Sequence, residues 1–172
     1  PPHQQFTEQV HAKAYKAIER AGACWVYRGD RAVSPPFHEF EALTLADDKR
    51  RLFVFQMECN WLQNLEGDID TSHFGFLHVG AVNPDDIAED NIHRHSITSR
   101  TPDYQAQETE WGTMYTAYRP TEPGQTYYRF AHFMFPFFTF TPNASFSDQI
   151  TTTARVPMDD YHTMVFNFSA TT

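Results

Sequence analysis

The second half of the chain alternates between apolar and polar residues in a way that predicts a series of β-strands. The predicted strands are rich in aromatic and β-branched residues and are separated by short turns containing Gly, Pro, Asn or Asp; they are 104–110, 113–119, 126–141, 147–157 and 162–170. Strands with connections this short pair antiparallel. Earlier in the chain, a hairpin strand is predicted at 23–27 and another strand at 51–57.

Between residue 57 and residue 104 one segment spaces its apolar residues as a helix does. Apolar residues over 61–69 recur at helical spacing, which predicts a helix that starts at about Asn60 and is disturbed near Gly75. Residues 31–50 are typical of an irregular connection, and 79–103 show no strong period. The predicted fold class is α+β, an antiparallel β-sheet with few flanking helices.

Composition narrows the classes of function. The chain has 172 residues, of which 41% are hydrophobic and 16% aromatic, enough for one domain with a large apolar interior or cavity. The net charge of −9 argues against nucleic acid or anionic lipid as the main partner, because both require clustered Lys and Arg. No apolar run reaches the ~20 residues of a membrane helix. Two cysteines outside any C-x-x-C pattern, Cys24 and Cys59, favour a cytoplasmic location.

Three side chains of metal-binding type lie within nine residues: Asp70, His73 and His78. A regular helix would place Glu66, Asp70 and His73 on one face. His78 lies five residues after His73, so a regular helix would turn its ring about 140° away and one ion could not bind both rings. A π-type bulge or a helix end would bring the rings together, and Gly75 is a natural place for either. The spacing therefore predicts an irregular helix between the two histidines.

Two imidazoles and one carboxylate form the facial triad of non-heme iron oxygenases, which leaves positions on Fe(II) open to dioxygen. Imidazole also binds zinc, copper and nickel, so the ligand type alone does not select the metal. The alternative is that His73 and His78 are ordinary hydrogen-bonded histidines, because two histidines five residues apart often arise by chance.

Two further groups of residues leave alternatives open. His93 and His95 are two residues apart and would share one face of a strand, as a second metal site or, preferably, a solvated edge. On the predicted strand 126–141, His132 would lie on one face, and Phe133 and Phe135 on the other. One of these faces either lines an apolar substrate pocket or belongs to an ordinary core.

The segment from Glu58 to His78 reads ECNWLQNLEGDIDTSHFGFLH, and it resembles the iron-binding segment of Rieske non-heme iron aromatic-ring oxygenases. The resemblance is greatest to the phthalate dioxygenase-like branch. It depends on Asn-Trp-Leu-Gln, then Glu-Gly, then D-x-x-H-x-x-x-x-H. Residues 15–29 resemble the hairpin that leaves the Rieske domain of that family. Residues 133–137 and 156–160 resemble core strands of its catalytic domain, so the resemblance covers most of the chain.

The resemblance implies that His73 and His78 bind mononuclear Fe(II). It implies that Asp70 bridges a ligand histidine to a Rieske-cluster histidine of the neighbouring subunit, an arrangement that would orient the imidazole and carry an electron. Asn60 and Glu66 would lie around the ligand histidines without binding the metal themselves. It also implies a helix-grip (Bet v1-like) catalytic fold.

The sequence departs from the family in two respects. It lacks the C-x-H and C-x-x-H pairs that hold the [2Fe-2S] Rieske cluster, and the family's third iron ligand is an Asp beyond the matched region. Asp159 and Asp160 match a turn, not that ligand. We therefore expect a piece of a longer subunit, with 1–30 the tail of the Rieske domain and connecting hairpin and 31–172 part of the catalytic domain. The alternative is that Glu66 or another carboxylate completes the site.

The implied function is an oxygenase component that uses Fe(II), O2 and electrons from a Rieske cluster to hydroxylate, dihydroxylate or O-demethylate an aromatic compound. The implied partners are a reductase or ferredoxin and two further copies in a homotrimer. A ring carboxylate on the substrate would need a placed cation, for which Arg119 and Arg129 are candidates by residue type. The alternatives are a metal-free module of the same fold that binds hydrophobic ligands, and a zinc hydrolase-like site on the same histidines.

Overall fold

The computed structural model describes residues 10–142 and 149–171. Within them the β-strands are β1 (Lys16–Arg20), β2 (Ala23–Tyr27), β3 (Arg50–Met57), β4 (Asp103–Thr109), β5 (Gly112–Pro120), β6 (Thr126–Met134), β7 (Phe138–Phe140), β8 (Gln149–Pro157) and β9 (Thr163–Thr171). The α-helices are α1 (Glu41–Thr44), α2 (Trp61–Ile69) and α3 (Arg94–Thr98), and a π turn spans Phe74–His78. Two 3-10 turns lie at Asp47–Lys49 and Pro84–Asp86.

Strands β3 to β9 form one antiparallel sheet of seven strands, in the order β3-β9-β8-β7-β6-β5-β4. Strands β4 to β9 run as a meander, each paired with the next, and β9 then pairs with β3. Because β3 and β4 lie at opposite edges, the connection 58–102 must cross a face of the sheet. That crossing connection contains α2, the π turn and α3.

The two faces of the sheet differ in chemistry because successive residues of a strand point to opposite sides. On the first face, Phe138, Ala154 and Phe168 pack with Phe40 and Leu43 in the apolar core. On the second face, α2 packs over β6, β7 and β8. The side chains that β7 and β8 present there include Thr139 and Arg155.

The N-terminal hairpin β1-β2 forms its own two-stranded sheet but joins the core of the large one. The Trp25 ring lies 5.8 Å from the ring of Phe138 and 5.8 Å from that of Phe168, measured between centroids. Aromatic pairs at these separations contribute beyond the area that they bury. The expected domain boundary at residue 30 stays a prediction.

The structure confirms the α+β fold class and most of the predicted strands. The single strand predicted over 126–141 is wrong, because Phe135–Phe137 interrupt it and leave β6 and β7 as separate strands. Part of the strand predicted at 147–157 lies outside the described residues, and β8 covers the rest. The irregular connection 31–50 contains α1.

Within the described ranges, 10–142 and 149–171, no helix is long and apolar enough to cross a membrane.

We predict that Phe138→Ala lowers the free energy of unfolding of the full chain by about 3–5 kcal/mol, because it leaves a cavity in the apolar core. Phe138 is 2% exposed and lies among the rings of Trp25, Phe40 and Phe137. The measurement is chemical denaturation followed by circular dichroism. The control is Phe130→Ala, because Phe130 is 43% exposed. Equal losses in both variants would contradict this core.

Candidate metal centre

Helix α2 begins at a cap that ties it to the turn between β8 and β9. The Asn60 side-chain oxygen accepts a hydrogen bond of 3.0 Å from the Leu62 backbone N–H, and its amide nitrogen donates one of 3.1 Å to the Asp160 carbonyl. Asparagine at a helix N-cap satisfies a backbone donor that the helix leaves free. Asn60 therefore positions α2, which leads to the histidines.

Helix α2 ends just before Asp70, and side chains of the sheet hold the segment that follows. Asp70 has extended backbone angles, φ −75° and ψ 105°, so the α-helix cannot continue through it. The Tyr115 hydroxyl on β5 donates to the Ile69 carbonyl and lies 2.7 Å from the Thr71 hydroxyl. The hydroxyls of Tyr104 and Ser72 are 2.6 Å apart. We name Ile69–Ser72 the linker, because it joins α2 to the histidine segment.

The π turn brings the two imidazoles together, as the five-residue spacing requires. The Val79 backbone N–H donates a 3.1 Å hydrogen bond to the Phe74 carbonyl, five residues earlier. The Nε2 atoms of His73 and His78 lie 3.1 Å apart, and their ring centroids 4.9 Å apart. The predicted irregularity between the two histidines is confirmed, and Gly75 lies inside it.

Asp70 lies behind the ring of His73. Its Oδ2 atom is 3.4 Å from His73 Nδ1, and its Oδ1 atom accepts a 2.7 Å hydrogen bond from the Ser72 backbone N–H. A carboxylate on this side favours the proton on Nδ1, which leaves the lone pair of Nε2 free to bind a metal.

The predicted alignment of Glu66, Asp70 and His73 on one helix face is wrong. The α-helix ends at Ile69, so the periodicity behind that prediction stops before Asp70. Glu66 is exposed and lines a separate groove with Asn60 and Asp160. The structure therefore does not bring Glu66 to the imidazoles.

His93 and His95 belong to a helical segment, so the strand predicted for them is wrong. His93 is the N-cap of α3 and His95 lies within that helix. The His93 ring packs 5.0 Å from that of Phe74, and the His95 ring 4.9 Å from that of Tyr127. Burial lowers the pKa of His93, and the charge of Arg129 lowers it further.

A cavity of about 840 Å³ lies between α2, the π turn and the second face of the sheet. Its lining combines the histidine segment with sheet side chains, and includes Phe55, Met57, Asn64, Asp68, Asp70, His73, Phe74, His78, Arg129 and Arg155. His132, Phe133 and Phe135, which were predicted to line a substrate pocket, are not among the residues that line this cavity. His132 packs against Trp111 and Phe140, and Phe133 against the exposed Phe135.

An ion pair inside the cavity was not foreseen from the sequence. Arg155 Nη2 lies 2.7 Å from Asp68 Oδ1, and its Nε donates a 3.2 Å hydrogen bond to Asp68 Oδ2. The Thr139 hydroxyl also donates to Asp68. This bidentate pairing neutralises both groups and fastens α2 to β8. The available signal was a single charged residue, Arg155, in a strand that otherwise carries uncharged residues.

The imidazole pair fits two neighbouring positions on one metal ion. Bonds of about 2.1 Å at a right angle place two nitrogens about 3.0 Å apart, close to the observed 3.1 Å. Among residues 10–142 and 149–171, no third His, Cys, Asp or Glu joins them in a group that could hold a metal. The described residues could thus supply two adjacent ligands to a metal ion, but no third one.

We predict that Gly75→Ala lowers the free energy of unfolding by about 1–3 kcal/mol, because its Cβ would overpack the site. That Cβ would lie 3.0 Å from the Arg100 carbonyl and 3.1 Å from the Ser96 carbonyl, which are backbone atoms. At Gly67 on α2 nothing lies within 4 Å of such a Cβ. The control Gly67→Ala should therefore raise stability by about 0.5–1 kcal/mol. Stability changes of the same sign in denaturant titrations would contradict this packing.

We predict that Tyr115→Phe costs about 1–3 kcal/mol of stability, because the Ile69 carbonyl and the Thr71 hydroxyl lose a partner. Burial raises the pKa of Tyr115 from 10.0 to about 12. The unfolded chain releases this proton at lower pH than the folded chain. The stability that Tyr115 contributes is therefore lost progressively as pH rises from 10.0 to about 12.

The measurement is denaturation of both proteins across that pH range. The stability difference between wild type and Tyr115→Phe should narrow as pH rises. Tyr128→Phe is the control, because Tyr128 is exposed. A difference that does not vary with pH would contradict the protonated hydroxyl at the linker.

Known proteins resemble the chain in both sequence and fold. Residues 26–172 match the family described as LigXa C-terminal domain like. The 3-chlorobenzoate-3,4-dioxygenase oxygenase subunit of Comamonas testosteroni is 44% identical over 167 residues, which are 97% of this chain and 38% of that relative. The phthalate 4,5-dioxygenase oxygenase subunit of Pseudomonas putida is 29% identical, over 96% of this chain and 39% of the relative. The chain therefore spans about two fifths of the length of these relatives.

Solved structures share the fold. An oxygenase and ferredoxin complex of carbazole 1,9a-dioxygenase matches with a TM-score of 0.62 at 14% identity, over 99% of this chain and 50% of that chain. The terminal oxygenase of carbazole 1,9a-dioxygenase from Novosphingobium sp. KA1 matches with a TM-score of 0.58, over 99% of this chain and 51% of its own. The resemblance to Rieske oxygenases is confirmed. The chain belongs to the LigXa C-terminal domain-like family, and its relatives are Rieske-type oxygenase subunits.

Proposed function

We propose that this chain is the iron-binding part of an oxygenase subunit that hydroxylates an aromatic compound with dioxygen. The observation that carries the proposal is the 3.1 Å approach of the His73 and His78 Nε2 atoms across a π turn. Such a turn is rare and is frequently found at functional sites. The relatives act, by name, on 3-chlorobenzoate and phthalate, both aromatic compounds.

In this proposal His73 and His78 hold Fe(II), and a carboxylate outside the described residues completes the ligand set. Bound iron would supply the site at which dioxygen is activated. The chain itself orients the two rings, because the π turn sets their separation and Asp70 selects the tautomer of His73. The cavity next to the rings would receive the substrate.

We propose that Asp70 lies on the path by which an electron enters the chain from outside. Its side chain is 45% exposed, and it lies beside His73, whose side chain is 31% exposed. A group on another subunit could therefore approach this exposed carboxylate. We propose that a Rieske [2Fe-2S] cluster of a neighbouring copy docks there, in a homotrimer supplied by a ferredoxin or reductase. The electron would then pass through Asp70 and the His73 ring to the metal position.

The same histidines could serve a zinc site for hydrolysis, or the cavity could bind ligands without any metal. The cavity favours neither alternative. It contains two arginines and the Asp68 carboxylate, so its walls are not those of a purely apolar pocket. Among residues 10–142 and 149–171, the carboxylate found beside the imidazole pair is that of Asp70, which lies behind His73 at its Nδ1 atom. A hydrolase would require a carboxylate base next to a water on the Nε2 side.

We predict that His73→Ala and His78→Ala each abolish stoichiometric iron binding by the intact subunit, because each removes one of two adjacent ligands. The measurement is iron content after anaerobic reconstitution, together with the visible absorption of Co²⁺ bound in its place. The control is His11→Ala, because His11 is exposed and far from the π turn in sequence.

Retention of one mononuclear metal ion in either site variant would overturn the proposal. Wild-type protein that takes up no iron would favour the metal-free module instead. Turnover without dioxygen or reductant, in protein loaded with zinc, would favour the hydrolase.

A further inference from the structure

Helix α2 lies on the sheet with little apolar contact to hold it there. It has nine residues, of which two are buried, Asn64 and Leu65. A helix this short is marginal by itself and depends on its tertiary contacts. Apolar burial has no direction, so one buried leucine does not fix how the helix slides or rotates over β6, β7 and β8. The position of α2 therefore depends on its polar contacts.

Polar contacts from several strands hold α2 and the linker that follows it. Asn60 ties the start of the helix to the turn after β8, and Tyr115 of β5 ties the linker. Between them, Asp68 on the last turn of α2 contacts Thr139 of β7 and Arg155 of β8. Because β6 lies between β7 and β5 in the sheet, the end of α2 is held from two sides.

The Asp68 carboxylate accepts three contacts from the sheet. Arg155 Nη2 lies 2.7 Å from Asp68 Oδ1, and Arg155 Nε donates a 3.2 Å hydrogen bond to Oδ2, to which the Thr139 hydroxyl also donates. The side chains of Asp68 and Arg155 are 18% and 10% exposed, so water does not replace these contacts easily. A bidentate pair of guanidinium and carboxylate fixes direction as well as distance. The contact thus holds the last turn of α2 at one place over β7 and β8.

The place of this last turn determines where the imidazole pair lies. Asp68 is two residues before Asp70 and five before His73, and all three line the same cavity. The π turn sets the separation of the two rings, but it does not set their place relative to the sheet. In the proposed function a carboxylate outside the described residues is the third ligand. That carboxylate can meet the rings only if the fold brings them to the matching place.

We propose that Asp68 and Arg155, together with Thr139, are positioning residues for the imidazole pair. Their contact fixes the pair relative to the rest of the subunit, so that the third ligand completes the site. This inference rests on the proposed function, because it concerns the metal position of the same site. A buried ion pair contributes little net stability, since the desolvation of both charges offsets their attraction. The site therefore uses the direction of these bonds more than their net free energy.

The test separates position from stability with a variant that removes every polar group of the contact at once. Asp68→Leu/Arg155→Met/Thr139→Val replaces the ion pair and the hydroxyl by apolar side chains of similar volume, a change that is often neutral or stabilising. The measurements on the intact subunit are titration with Co²⁺, followed by visible absorption, and denaturant titration. We expect an unfolding midpoint no lower than that of the wild type, an affinity for Co²⁺ about 10- to 100-fold lower, and altered Co²⁺ absorption bands.

Arg155→Lys is the conservative variant, because it keeps the charge and loses the fork of the guanidinium. We expect it to retain part of the Co²⁺ affinity that the triple variant loses. It should nevertheless unfold at lower denaturant concentration than the triple variant, because the buried Asp68 carboxylate loses a donor. Stability and Co²⁺ affinity would then rank these two variants in opposite orders, which a role in stability alone does not produce.

The matched control is Asp47→Leu/Arg50→Met. It removes another pair of aspartate and arginine by the same two substitutions, and both residues lie outside the lining of the cavity. Its Co²⁺ affinity and absorption bands should equal those of the wild type.

Wild-type affinity and wild-type absorption bands in the triple variant would overturn the inference. So would a Co²⁺ affinity that falls in step with the unfolding midpoint across all variants, the control included. Should the triple variant not fold, Arg155→Lys decides the matter, because unchanged affinity and bands in that variant would overturn the inference as well.

A failure of the inference can be told apart from a failure of the proposed function. A wild-type subunit that takes up neither iron nor Co²⁺ would sink the proposed function and the inference with it. Metal binding that depends on His73 and His78 but is indifferent to Asp68 and Arg155 would sink the inference alone.

Discussion

The geometry of the centre depends on one backbone constraint, the spacing of five residues between His73 and His78. An α-helix cannot point residues at this spacing toward the same ion, because it turns about 100° per residue. The chain meets the constraint by ending α2 at Ile69 and winding Phe74–His78 as a π turn. Tyr115 holds the linker, and Asp70 within it lies behind His73. The placement of the imidazole pair therefore depends on contacts from β5.

The topology places this centre over a sheet face that differs from the apolar core. Strands β3 and β4 lie at opposite edges, so the connection 58–102 crosses the second face. The first face packs against the N-terminal hairpin and α1 through aromatic side chains. With the apolar packing concentrated there, the second face can carry arginines and threonines and leave a cavity. The first face of the sheet thus carries the apolar core, and the second face carries the cavity.

The charged side chains in and around the cavity are not all neutralised, so its two sides differ in charge. Asp68 neutralises Arg155 near α2. Arg129 and Arg119 lie buried nearby without carboxylate partners in the described part of the chain. Phe74 separates Arg129 from His78 and contacts both. The cavity therefore has a cationic side at Arg129, and the imidazole pair lies on the other side of Phe74.

The sequence by itself determined the local features. Period-two alternation and turn residues predicted the antiparallel strands, and the histidine spacing required an irregular helix, because both follow from the geometry of the backbone. The tertiary structure decided the rest. Only the fold shows that α2 stops before Asp70, which separates Glu66 from the imidazoles, and that Phe135–Phe137 interrupt a predicted strand. Only strand register brings Arg129 and Arg155 into one cavity, where Asp68 reaches one of them. Those contacts join residues far apart in sequence, and local periodicity carries no information about which distant side chains meet.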